Sequence, residues 1–231
     1  MATFTPASPA SLAAFVAILG AVVVAFLVAG HRALGGSPRK TAALMAGTAL
    51  YLGGFSAIVG SGWLPSLPLG GFPFVLAPAL ALSVAVGLSS LGRRLAETTP
   101  LWALVAFQGF RLPLELVLHS WGEQGTIPLT MTWSGQNLDV VSGVVALALS
   151  PLVPRAPGAA RLANIVGFAL LLNVMRVAGL SLPGPFGWGQ TPPLLIGWHL
   201  PYALIVPVAV GGALIGHLVL MRALWSRAAA A

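Results

Sequence analysis

The stretch ASLAAFVAILGAVVVAFLVAG, residues 10–30, carries no charged side chain, and the chain then turns through His31 and Arg32 to Arg39 and Lys40. About 20 mostly apolar residues make one crossing of a bilayer as a helix, the form that satisfies each backbone N–H and C=O within the crossing segment itself. Working outward, six more such segments follow at 41–60, 72–91, 100–120, 138–154, 162–181 and 200–222. Their length and their lack of period-two alternation argue against barrel strands. The expectation is an all-α polytopic membrane protein, one domain over residues 1–231, built as a bundle of seven transmembrane helices.

Composition points the same way. The 231 residues are 58% hydrophobic and 6% charged, with a mean hydropathy of +0.95, whereas roughly 25% of residues are charged in soluble proteins. Eleven Lys and Arg against four Asp and Glu give a formal charge of +7. In a soluble chain that balance would suggest nucleic acid; in a membrane chain it sets orientation, because cytoplasmic connections collect Lys and Arg. Arg32, Arg39 and Lys40, then Arg93 and Arg94, then Arg155 and Arg161, then Arg222 and Arg227 all fall on one side, and the N-terminus and the other three connections hold none. The N-terminus is therefore expected outside and the C-terminus in the cytoplasm, in a bacterial inner (plasma) membrane. The bilayer is the expected partner, and nucleic acid is not. The absence of cysteine excludes a disulfide framework and Cys-type metal sites. Residues Met1–Ala10 lack the basic start of a cleavable signal peptide, so the first helix is expected to be retained, and the tail Trp225–Ala231 is expected to fray.

Two basic residues, Arg111 and Arg176, and two acids, Glu115 and Asp139, fall in or at the edge of the apolar segments. Each costs roughly 2.5–3.5 kcal/mol at a helix centre, so these groups must face protein or water. Gln108, Arg111, Glu115 and His119 stand at offsets of 0, 3, 7 and 11, which confines them to a stripe of about 80°. The spacing of Arg111 and Glu115 permits an intrahelical ion pair. Asn137 and Asp139 open the fifth segment, Asn173 and Arg176 share a face in the outer half of the sixth, and His199 opens the seventh. His217 lies apart on the inner half and reads as a polar contact to a neighbouring helix. Two readings stay open. The charges are structural pairs, Arg111 with Glu115 and Asp139 with Arg176, that fix helix packing, or the whole set lines an outward-facing cavity that binds a small molecule.

Residues 121–137 and 182–199 form the longer, outer loops, and Trp63, Trp121, Trp133, Trp188 and Trp198 lie on that side, as an interfacial belt or as a lid. Gly47, Gly53, Gly54 and Gly60, with Gly212 and Gly216, are expected to allow close helix approach. Pro78, Pro113 and Pro207 are expected to kink their helices.

Several chemistries are excluded. The only lysine is Lys40, in an inner connection, so a Schiff-base retinal on the last helix is ruled out; no other cofactor is indicated. His199 and His217 stand about 27 Å apart along one helix and cannot share a metal, and no metal site is expected. Walker A, G-x-G-x-x-G and G-x-S-x-G motifs are absent. The stretch Phe110-Arg-Leu-Pro-Leu-Glu115, with Pro128 to Gly143 and Asn173-Val-Met-Arg176, resembles a group of uncharacterised bacterial inner-membrane proteins. The resemblance covers the second half of the chain, implies a multi-helix membrane fold and transfers no activity.

Three functions remain. One is a binding protein or transporter for a small, anionic molecule held by the polar set. Another is a membrane enzyme in which Glu115 or Asp139 acts with His119 or His199 as acid and base. The third is a non-catalytic subunit whose helices contact partner proteins or further copies of the chain.

Overall fold

The computed structural model describes residues 3–67 and 71–228. Among them every regular element is helical. Helix α1, Pro9–Ala33, starts with proline in its first turn, where a missing N–H costs nothing, and the Ser8 hydroxyl accepts from the Ser11 amide. Helix α2, Pro38–Gly60, likewise has proline in its first turn, but the side chain of the preceding Ser37 makes no capping hydrogen bond. Helices α3, Phe72–Leu88, and α4, Ser90–Thr98, meet at a 56° bend. Ser89 forms the corner, its hydroxyl accepting from the amides of Leu91 and Gly92. Arg222 donates to the carbonyls of Gly87 and Ser89 at 2.9 and 3.0 Å, which satisfies the end of α3 and sets a cation at its negative pole. Along α4, Leu95 and Ala96 point inward and Arg93, Arg94 and Glu97 outward, the division of a helix lying along an interface.

Helix α5, Leu101–Glu123, tightens to a 3-10 turn at Gln108–Phe110. Pro113 lies just beyond, and its ring conflicts with the carbonyl of Gly109 four residues earlier, so the tightened turn absorbs the expected kink. Helix α6, Val140–Leu149, is prolonged by a 3-10 turn at Ser150–Leu152. Helix α7 is Gly158–Ser181. Helix α8, Tyr202–Arg227, starts as a 3-10 turn at Tyr202–Ile205, passes Pro207 in a π turn at Val206–Val210 and continues as α-helix to Ala228. The tail therefore stays helical to that point, and residues 229–231 of the expected frayed end lie outside the described residues.

Helices α1, α2, α5, α7 and α8 are long and apolar enough to cross a membrane, and the bent α3–α4 pair makes a sixth if it counts as one span. The departure from seven full helices is at 138–154. Val140–Leu152 is about 20 Å long against the roughly 30 Å of a hydrocarbon core. Glu123, at the end of α5, stands about 18 Å beyond Arg111 along the axis, yet Asp139 is hydrogen-bonded to Arg111. Residues 124–139 therefore fold back into the bundle, and α6 starts partway along it. The segment can do so because its backbone amides find carbonyl partners within the segment and at the end of α5. Thr126 and Ile127 amides bond the Trp121 carbonyl, Gln136 bonds the Thr130 carbonyl and Asn137 bonds that of Thr132.

Two apolar clusters mark the bundle ends. Ala33, Leu95, Leu101, Val153, Ala160 and Ala223 pack together where the basic connections lie. Phe15, Trp121, Ile127, Leu194, Ile196 and Tyr202 pack at the opposite end. Trp121 is fully buried there, so it belongs to the core and not to a belt or lid. The chain before α1 straps this end: the Ser8 amide bonds Gln124, the Ala7 amide bonds the Tyr202 hydroxyl, and Phe4 stacks on His199.

Helix α2 is the loosest element. Of its residues only Phe55 and Val59, near its end, are buried, against Ala203 and Val206. A Cβ on Gly47, Gly53 or Gly54 would meet nothing within 4 Å. Close approach instead uses Gly212, 3.0 Å from Val22, and Gly216, 3.1 Å from Phe107, both measured from an added Cβ.

Candidate functional site

Four of the polar residues singled out in the sequence converge, joined by others. Arg111 is 1% exposed. Its Nε donates to Asp139 Oδ2 at 2.6 Å and its Nη2 to Asp139 Oδ1, a two-pronged carboxylate pair. Nη1 donates to the Gly167 carbonyl of α7 at 2.9 Å and lies 3.1 Å from His217 Nε2 of α8. A guanidinium only donates, so His217 Nε2 accepts and the ring proton sits on Nδ1, which donates to Asn164 Oδ1 at 2.8 Å. Ser142 adds a hydrogen bond to Asp139 at 2.9 Å. Arg111 thus ties α5, α6, α7 and α8 together with nearly all of its donors in use.

Glu115, also 1% exposed, has a different partner from the one its spacing suggests. The Asn137 amide lies 3.0 Å from both of its oxygens and the same amide donates to the Met131 carbonyl. Arg111 is committed to Asp139, so Glu115 anchors the folded-back segment through Asn137. Asn137 Oδ1 in turn accepts from the Asp139 amide, which links the two acids.

The other members of the expected set stand apart. Gln108 is buried beside α8, donating to the Ala213 carbonyl at 3.3 Å, and its Oε1 has no partner. His119 stacks on Trp133 at 3.9 Å and faces Glu123 at 3.6 Å. Asn173 and Arg176 both bond Gln136 on the bundle surface, and Arg176 lies over the Trp188 ring instead of pairing with Asp139. Among the described residues no three His, Asp or Glu side chains gather as a metal would require.

His199 lies before α8 with its ring stacked on Phe4 at 3.9 Å. Burial holds its imidazole below the usual histidine range. The unfolded chain then binds more protons between that lowered value and about 6.5, so stability from this contact is present above pH 6.5 and falls as pH drops below it. Hydrogen exchange of the strap amides, corrected for intrinsic rates, is expected to speed up between pH 7 and pH 5 relative to α5. Equal protection at both would contradict this.

The polar cluster borders a cavity of only about 80 Å³, walled chiefly by apolar side chains of α5, α7 and α8. A chamber of about 800 Å³ lies elsewhere, where α2 stands off the bundle. Val22 and Phe26 of α1, Leu44 of α2, Val86 of α3 and Ile215 of α8 form its walls, and Arg32 stands at one end. Of its hydroxyls, Thr48 donates to Leu44 and Ser83 to Ala79 within their own helices, while the Tyr51 hydroxyl on the α2 wall is buried without a hydrogen-bond partner. Apart from that hydroxyl and Arg32, the chamber presents mainly hydrocarbon.

Sequence reasoning passed over His217 and Asn164 as site members and the chamber altogether. Counting from the basic end would have found the first two. Arg111, Asn164 and His217 stand ten, six and ten residues from Leu101, Gly158 and Arg227, thus at similar depths of about 9–15 Å. No protein-family model, curated protein or solved structure matches the chain.

Proposed function

We propose that the protein is an integral membrane protein that binds a small apolar or amphiphilic molecule, taken sideways from the bilayer into the chamber beside α2. The observation that carries this reading is the chamber itself. At about 800 Å³ it falls within the roughly 300–1,000 Å³ range of ligand pockets, while ordinary protein interiors close-pack. A cavity of hydrocarbon-lined walls among lipid tails is filled by an apolar group, because an empty one forfeits dispersion contacts. The Arg111 cluster serves as the fastening that holds the folded-back segment, not as the binding surface, because its donors are already engaged. In this reading the chain still traverses the membrane seven times, residues 124–152 making the fifth passage as half loop and half helix. The basic end is cytoplasmic and the membrane is a bacterial inner membrane, as the Lys and Arg distribution favours.

A second reading has one observation of its own. The face of α2 with Met45, Leu50, Gly53 and Gly54 is exposed and loosely packed, which suits contact with a second subunit.

The binding reading is tested by photolabelling in proteoliposomes with a phospholipid whose acyl tail bears a diazirine. Strong labelling of Phe26, Leu44 and Ile215 is expected. Labelling confined to outward residues such as Leu162, Ile165 and Leu172 of α7 would overturn it.

A further inference from the structure

We propose that the occupant of the chamber is an anionic phospholipid of the leaflet at the basic end, its tail in the chamber and its phosphate at Arg32. This rests on the reading of the chamber as a binding site and names its ligand. Three features carry it.

The first is length. On α1 the chamber wall runs from Val22 to Arg32, on α2 from Ala43 to Leu52 and on α8 from Pro207 to Val219, about 15, 14 and 18 Å and so close to half of a roughly 30 Å hydrocarbon core. The chamber therefore spans one leaflet, the reach of one acyl chain, and it does so on the side where the basic connections lie.

The second is charge. Arg32 stands at the chamber end with an exposed side chain, and no carboxylate pairs with it among the described residues. Arg39 and Lys40 follow at the start of α2, across a short turn. Glu97, the acid of α4, lies 4.0 Å from Arg93 and does not line the chamber. A guanidinium offers a fork of N–H donors that matches a phosphate, and basic residues at a membrane surface favour anionic headgroups.

The third is the contrast between the two ends of the site. Deeper in, the walls are chiefly apolar: the hydroxyls of Thr48 and Ser83 are spent on their own backbones, and the Tyr51 hydroxyl is a lone uncharged polar group without a partner. Such a site suits a molecule that is hydrocarbon along its length and anionic at one tip. It suits neither free phosphate, which has no tail, nor an uncharged hydrocarbon, which leaves Arg32 without a partner.

Native mass spectrometry of the full chain tests this with an equimolar mixture of phosphatidylglycerol, phosphatidylcholine and diacylglycerol of identical chains. The parent protein is expected to retain phosphatidylglycerol about fivefold over phosphatidylcholine. Arg32→Gln is expected to bring the ratio near one while total bound lipid stays the same. Gly47→Trp, whose Cβ meets no neighbour and whose ring projects toward the chamber, is expected to lose the tightly held lipid with the fold intact by circular dichroism. Lipid retention without headgroup preference, or a preference that survives Arg32→Gln, overturns the assignment to an anionic lipid at Arg32 and leaves the chamber reading standing. Retention of lipid by Gly47→Trp equal to that of the parent overturns the chamber reading itself.

Discussion

Asp139→Asn is expected to lower the stability of the detergent-solubilised protein by about 3–5 kcal/mol, the cost of leaving a buried charge without its partner. Arg111 is 1% exposed and its two-pronged contact with Asp139 is its only ion pair among the described residues. The asparagine keeps the shape of the acid but removes the charge, and one of the two prongs meets an amide that also donates. The damage extends beyond the pair, because Asp139 also accepts from Ser142 and its own amide is held by Asn137, the residue that anchors the folded-back segment on Glu115. The double variant Arg111→Met/Asp139→Asn removes both charges and is expected to be more stable than Asp139→Asn alone. Its residual cost is about 2 kcal/mol, about 1 kcal/mol for each of the two acceptors, the Gly167 carbonyl and His217 Nε2, that lose a donor. Thermal unfolding followed by tryptophan fluorescence separates the cases. A single variant as stable as the parent, or a double variant worse than the single, would show that the pair is not the fastening described.

The second large effect is expected at Gly143, where α6 crosses α5. A Cβ there would lie 2.6 Å from the Leu112 Cβ and 2.7 Å from its Cα, and would overlap the Leu112 backbone nitrogen. Backbone cannot rotate aside as a side chain can, so Gly143→Val forces the helices apart. Overpacking of this kind costs about 1–3 kcal/mol, and more where nothing yields. Asp139 precedes Gly143 by one turn, so the displacement also spoils the geometry of the Arg111 pair. Gly53→Val on α2 is the matched control, because its Cβ would meet nothing within 4 Å. Loss of stability in the first variant and near-parent stability in the second are expected by the same unfolding assay. Equal effects in both would contradict the packing described.

Seven apolar segments in the sequence correspond to the helical parts of the structure because hydropathy reports burial in lipid or protein directly. What hydropathy could not report is the depth at which a helix starts. Residues 121–137, with their Thr, Ser, Gln and Asn, read as an outer loop. In the structure Thr126, Thr132 and Asn137 are buried; the Thr132 hydroxyl bonds the Leu129 carbonyl and Asn137 bonds the Met131 carbonyl and Glu115, while the Thr126 hydroxyl has no partner. Composition cannot distinguish polar groups that face water from polar groups that replace it. The helical spacing of Arg111, Glu115 and Gln108 correctly puts all three inside, since period and cost of burial are local facts. Their partners depend on which helices adjoin. Arg111 therefore pairs with Asp139 across the bundle and not with Glu115 four residues on. The chamber left no trace in sequence, because it arises from where α2 stands and not from what α2 contains.

The space between α2 and the rest of the bundle is expected to hold a lipid-like molecule. An experimental density map of the full chain in nanodiscs containing phosphatidylglycerol tests it most directly. The expected map has elongated density about one leaflet long beside Phe26, Leu44 and Ile215, with its outer tip at Arg32. A map in which α2 packs directly against α4 and α5, with Leu44 and Leu52 filling the space and no density between, would contradict the account.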